Sequence, residues 1–144
     1  MGIWSFIKDA GKAIGIGGDD EAPAPEDLKK EVESLGLDAS GVEIETEGDK
    51  VKVSGKSLTQ ELREKIVLAV GNVAGVAEVE DNIEPEEEAP AAVFHTVEKG
   101  DTLWAVSKKA YGNGAEYMKI FEANRPMLSD PDKIYPGQVL RIPQ

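Results

Sequence analysis

Phe94-His95-Thr96-Val97-Glu98-Lys99-Gly100-Asp101-Thr102-Leu103-Trp104 runs from strand-forming residues, through a glycine turn, into an apolar helical pattern that Asp101 or Thr102 can cap. A second helix is expected near Ala115 to Ala123, ending at Asn124-Arg125-Pro126. Ile134-Tyr135-Pro136-Gly137-Gln138-Val139-Leu140-Arg141-Ile142-Pro143 then turns into a closing strand. The order strand–helix–helix–strand occupies residues 93–144 as one module. Trp104 falls on the inner face of its helix and reads as core. Asp101 reads as a helix cap, Tyr135 as packing beside Pro136, and Asp130-Pro131-Asp132 as turn chemistry.

Upstream, residues 85–92 form an acidic, proline-bearing linker, and a second α/β pattern fills residues 26–84. Leu28, Val32 and Leu35 mark a helix that stops at Gly36. Val42, Ile44 and Thr46 alternate with Glu43, Glu45 and Glu47, and Gly48-Asp49 turns into Val51 and Val53 alternating with Lys50 and Lys52. Ser57 and Gln60 fit a capping box before a helix with Leu62, Ile66, Ala69, Val70 and Val73 on one face. Gly71-Asn72-Val73-Ala74-Gly75-Val76 leads into a third strand over residues 76–83. A further linker spans residues 19–25. In residues 1–18, Ile3, Phe6, Ile7, Ala10 and Ile14 recur at helical spacing and predict a short amphipathic helix docked on the protein's own body. The fold class is α+β.

Composition removes many functions. The 144 residues carry 16 Lys and Arg against 28 Asp and Glu, one His and no Cys, for a net charge of −12. Residues 26–92 hold 18 acidic and 7 basic side chains, whereas residues 93–144 hold 6 and 7. Such a balance argues against nucleic acid as a partner. Without Cys there is no thiolate nucleophile, and His95 has neither a Cys nor a second His with which to ligate a metal. No nucleophile–base–orienter set can be assembled, so a non-enzymatic protein is expected. Lys8, Asp9 and Lys12 interrupt the N-terminal apolar run early, and no stretch has the length of a membrane span. Cytoplasmic localisation without membrane insertion is the expectation, and a monomer, since no coiled coil or long apolar edge is visible.

Gly100-Asp101-Thr102-Leu103, Tyr111-Gly112, Ile120, Asn124, Pro136-Gly137-Gln138, Leu140 and Ile142-Pro143 resemble a LysM domain from end to end. That resemblance implies a βααβ fold and a glycan groove between Gly100 to Leu103 and Ser129 to Tyr135. The middle module is similar to a BON domain, a small αββαβ sandwich, through Val51-Lys52-Val53-Ser54-Gly55 and Gly71-Asn72-Val73-Ala74-Gly75-Val76. BON domains are mostly binding modules.

With Phe6-Ile7-Lys8-Asp9-Ala10-Gly11 in front, the combination resembles the Kbp family of bacterial cytoplasmic BON–LysM potassium-binding proteins. The resemblance implies K⁺ held by backbone carbonyls of the N-terminal segment and the BON glycine loop, with BON and LysM closing on binding. Carried across by motif, the ligands are Ile7, Lys8 and Ala10, and Gly71, Val73 and Val76. Val73 and Val76 are smaller than the Ile often found there. From the residues alone, Gly71 to Val76 reads as an ordinary helix C-cap feeding a strand, and only the resemblance lifts a K⁺ site above that. The resemblance implies an ion sensor or buffer; the other readings are a peptidoglycan-binding module, with residual glycan affinity in LysM, and a protein-interaction adaptor.

Overall fold

Alternating apolar and charged residues make the hairpin that anchors the first half of the chain. The computed structural model describes residues 2–6, 24–73, 75–87, 93–125, 127–128 and 130–143. The chain divides into two units, Met1–Ala89 and Pro90–Gln144.

In the first unit, β1 (Gly2–Ser5), α1 (Pro25–Ser34), β2 (Val42–Glu47), β3 (Lys50–Thr59), α2 (Gln60–Gly71) and β4 (Glu78–Glu87) follow one another. The sheet order is β1-β4-β3-β2. β2 and β3 pair antiparallel, with Ile44 opposite Val53, and β3 and β4 pair in parallel, with Val51 opposite Val79. A parallel pair needs a crossover, which α2 supplies. Leu28 and Val32 of α1 and Ile66 and Val70 of α2 are buried, as are Val42, Val51, Val53, Val79 and Ile83 of the sheet. Glu43, Glu45, Glu47 and Lys52 point to solvent. On that outer face Lys50 reaches Glu78 at 3.6 Å and Lys52 reaches Glu80 at 3.8 Å. Such exposed pairs add little stability.

Three expectations are corrected here. Residues 2–5 are not the start of a helix but an edge strand, antiparallel to β4, with Ile3 opposite Glu80 and Ser5 opposite Glu78. An isolated short helix is marginal, whereas the free side of β4 offers backbone partners to the β-prone Ile3 and Trp4. The rest of the expected helix, through residue 18, lies outside the described residues. The α2 N-cap is Thr59, whose hydroxyl accepts from the Leu62 N–H at 3.0 Å. Ser57 instead lies in β3 and donates to the Thr59 carbonyl; pairing with β4 continues to Thr59 opposite Glu87 and keeps this stretch extended. The third strand starts at Glu78 rather than Val76, and runs on into residues that read as linker.

The second unit contains β5 (Val93–Thr96), α3 (Leu103–Tyr111), a 3-10 turn (Gly114–Glu116), α4 (Tyr117–Ala123) and β6 (Val139–Ile142). β5 and β6 pair antiparallel. Val97, Leu103, Val106, Ile120, Phe121, Leu128, Leu140 and Ile142 form its core. Asn124, 2% exposed, ties α4 to β6: its Nδ2 donates to the Ile120 and Arg141 carbonyls at 2.8 and 2.9 Å, and its Oδ1 accepts from the Arg141 N–H at 2.7 Å. The fold is α+β, as the sequence pattern indicates.

Candidate functional site

The glycine loop after α2 holds the expected ligands Gly71, Val73 and Val76. Gly71 is the last residue of α2, where helix carbonyls lack intrahelical partners and the macrodipole is negative. The Asn72 N–H caps the helix by donating to the Leu68 carbonyl at 3.0 Å. The Val76 N–H donates to the Val73 carbonyl at 3.2 Å, closing a turn whose third residue, Gly75, sits at φ +96°. Only glycine takes that conformation without strain. Val73 and Val76 are buried, at 1% and 0% exposure. Beyond them the Ala77 N–H donates to the Asp49 carbonyl at 2.9 Å, fixing the loop to the β2–β3 hairpin turn.

Gly71 is a glycine for a different reason from turning, since its φ is not positive. A Cβ on Gly71 would come within 2.0–2.3 Å of the Phe6 ring. Phe6 is buried, and its N–H donates to the Ala77 carbonyl at 2.9 Å. One residue of the N-terminal segment therefore touches both ends of the glycine loop. The remaining expected ligands, Ile7, Lys8 and Ala10, lie outside the described residues.

Carbonyl dipoles can replace the weakly held water of K⁺, whereas Ca²⁺ and Mg²⁺ sites are built on carboxylates and shorter contacts. Among the described residues no three His, Asp or Glu side chains converge as metal ligands. The buried carboxylate of this sheet is otherwise engaged: Asp81, fully buried, binds the Arg63 Nε at 2.9 Å and the Ile83 N–H at 3.1 Å.

The second unit presents a cleft of about 260 Å³ lined by Thr102, Leu103, Trp104, Tyr117, Pro131 and Asp132. Trp104 is not core, as its helical position suggests, but 51% exposed. One face of its ring lies over Gly114, where a Cβ would come within 2.2 Å, and the Lys108 Nζ stands 5.2 Å from the ring centroid. The helix is capped by Thr102, whose hydroxyl accepts from the Ala105 N–H. Asp101 instead closes the preceding turn, accepting from the Glu98 N–H at 2.9 Å and lying 3.0 Å from the His95 Nε2. The Glu98 N–H bond, and then the bond to His95, hold the Asp101 carboxyl below its ordinary pKa. Burial raises the pKa of the Tyr135 hydroxyl.

No signal in the sequence marked Phe6 as a contact of Gly71, because an apolar side chain carries no address. The Arg63–Asp81 pair was equally hidden, 18 positions apart on different elements.

Family models match this chain as a BON domain over residues 20–85 and a LysM domain over residues 95–143. The two units, with this loop and this cleft, define a two-domain BON–LysM protein. The Potassium binding protein Kbp of Escherichia coli O6:H1 (strain CFT073) is 47% identical over 148 residues, spanning 100% of this chain and 99% of the relative. This chain belongs to the Kbp family. Protein YqbP of Bacillus subtilis is 38% identical over 69 residues, 42% of this chain and 31% of that protein. The Spore coat assembly protein ExsA of Bacillus cereus is 43% identical over 50 residues, 35% of this chain but 7% of that protein.

Proposed function

We propose that this chain is a cytoplasmic, non-catalytic potassium-binding protein, an ion sensor or buffer. The backbone carbonyls of Ile7, Lys8 and Ala10 converge with those of Gly71, Val73 and Val76 on one K⁺. The observation that carries this reading is the double contact of Phe6, ring on Gly71 and amide on Ala77, which brings the N-terminal segment to the glycine loop. The printed name of the full-length relative supports the choice of ion.

The α2 C-terminus contributes a negative potential without a formal charge. The net charge of −12 enriches cations around the protein but does not choose among them. Selection falls to the carbonyl cage, whose fit favours K⁺ over the more strongly hydrated Na⁺. Binding draws the N-terminal segment onto the BON unit by its differential affinity for the ordered state. Closure of the BON and LysM units belongs to the same proposal and would appear as a smaller radius of gyration by solution scattering in KCl.

Calorimetric titration of ion-free protein with KCl, beside NaCl at matched ionic strength, tests the reading. Saturable one-to-one heat with K⁺ and none with Na⁺ is expected. Equal or absent heats would overturn it.

The exposed Trp104 beside the cleft favours a second activity in the LysM unit, the stacking of an N-acetylglucosamine ring. In a Trp4→Phe variant, where Trp104 is the remaining tryptophan, emission titrated with a chitin oligomer should shift and saturate; an unchanged spectrum removes the glycan reading.

A further inference from the structure

We propose that the free edge of β2 is a docking site for an extended, basic segment of another protein, which joins the BON sheet as an added strand.

β2 ends the sheet order β1-β4-β3-β2, so one side of it meets no other strand of the sheet. The tight turn at Gly48-Asp49 makes Glu47 and Lys50 a hydrogen-bonded pair. Alternation then turns the backbone N–H and C=O groups of Glu43, Glu45 and Glu47 towards β3, and those of Val42, Ile44 and Thr46 outwards. Val42 is already served: its N–H donates to the Ala39 carbonyl at 3.0 Å, and its carbonyl accepts from the Lys29 Nζ at 3.4 Å. Among the described residues no bond takes up the outward groups of Ile44 and Thr46. They can hold an added antiparallel strand through up to about four hydrogen bonds.

Side-chain pairing selects the guest. Glu45 lies opposite Lys52 and Glu47 opposite Lys50, yet both lysines turn away to β4, Lys52 to Glu80 at 3.8 Å and Lys50 to Glu78 at 3.6 Å. Glu43 faces Ser54. The edge therefore displays Glu43, Glu45 and Glu47 as a row of exposed carboxylates, none in an ion pair with a described residue. A hollow of about 200 Å³ beside Glu45 and Glu47 gives a long guest side chain room to lie against them. Charge on an edge strand commonly keeps other chains away. Here it does so for a second copy, because β2 laid antiparallel on β2 sets glutamate beside glutamate. The same row attracts a strand whose lysines or arginines fall at every second position, opposite Glu43, Glu45 and Glu47. Backbone bonding supplies the attachment, and the carboxylate row supplies the choice of partner.

A blocked peptide alternating lysine with threonine is the probe, titrated into the full chain and followed by calorimetry and amide hydrogen exchange. Saturable binding is expected, with slowed exchange at the Ile44 and Thr46 amides. A peptide of the same residues with its lysines contiguous, and an alternating one N-methylated on the amides that face β2, should each bind about tenfold or more weaker. Glu43→Gln, Glu45→Gln and Glu47→Gln combined should weaken the alternating peptide about tenfold. Thr46→Pro, which deletes an outward N–H and no ladder bond, should weaken it with the thermal midpoint of the BON unit retained. Equal binding of all three peptides, or unchanged exchange at Ile44 and Thr46, identifies diffuse attraction to an acidic protein and overturns the proposal. Absence of binding by the alternating peptide overturns it as well.

Discussion

Replacing Asn124 by Asp changes one atom at the centre of the LysM unit and reverses the chemistry of two contacts. The Nδ2 that donates to the Ile120 and Arg141 carbonyls at 2.8 and 2.9 Å becomes an oxygen facing two oxygens. The bond accepted from the Arg141 N–H survives. Two lost bonds cost about 2 kcal/mol together, and two buried carbonyls left without their donor raise the loss to about 3–5 kcal/mol. A unit of this size, Pro90–Gln144, has a total stability of roughly 3–8 kcal/mol. Asn124→Asp should therefore leave the LysM unit marginal at pH 7 while the BON unit stays folded. Burial among acceptors raises the pKa of the new carboxyl in the folded state, so its penalty is complete at pH 7 and shrinks as pH falls towards about 3.9. Urea titration followed residue by residue in amide NMR spectra separates the two units. A loss below about 1 kcal/mol at pH 7, or a difference from wild type that does not shrink at low pH, refutes the reasoning.

Arg63→Ala strands the fully buried Asp81 carboxylate and should destabilise the BON unit by about 3–5 kcal/mol, read by thermal unfolding; adding Asp81→Asn should recover part of it. Gly75→Ala meets φ +96° and costs about 1–2 kcal/mol of stability, read by urea titration; if the strain re-aims the Val73 carbonyl, K⁺ affinity by calorimetry should fall as well. Asp101 has a lowered folded-state pKa, so it contributes stability above its unfolded pKa of about 3.9 that disappears as pH falls through the folded value. Asp101→Asn should flatten the acid limb of LysM stability in pH-dependent denaturant titrations.

Much of the architecture was legible because period and punctuation agree. The Val42 to Val53 alternation around Gly48-Asp49 predicts the hairpin, and residues 93–143 announce two short strands around two helices. Residues 2–5 misled because Ile3 and Phe6 satisfy a helical spacing, whereas the vacant side of β4, which decides their conformation, is made by residues more than 70 positions away. Ser57 failed as a cap for the same reason, since strand pairing outranks a local hydroxyl. Trp104 is exposed because Gly114 gives its ring a flat seat outside the core, a contact that helical phase cannot express. At the candidate site, carbonyl ligands are silent in sequence, because every residue has one. Gly71 and Gly75 look alike on the page, yet one makes room for a ring and the other takes a left-handed turn.

The pairing of β1 with β4 also orders events in time. Gly2 lies opposite Asp81, so β1 leaves the ribosome ahead of β4 and waits for it, on the order of 4–16 s at ordinary elongation rates. During that interval α1, the β2–β3 hairpin and α2 can assemble, whereas the glycine loop has no Phe6 seated on Gly71. A contact of such long range is also slow to close once both partners exist. The N-terminal strand is therefore expected to join the sheet last, and newly made protein passes through a stage that has folded helices while one edge of β4 still lacks its partner.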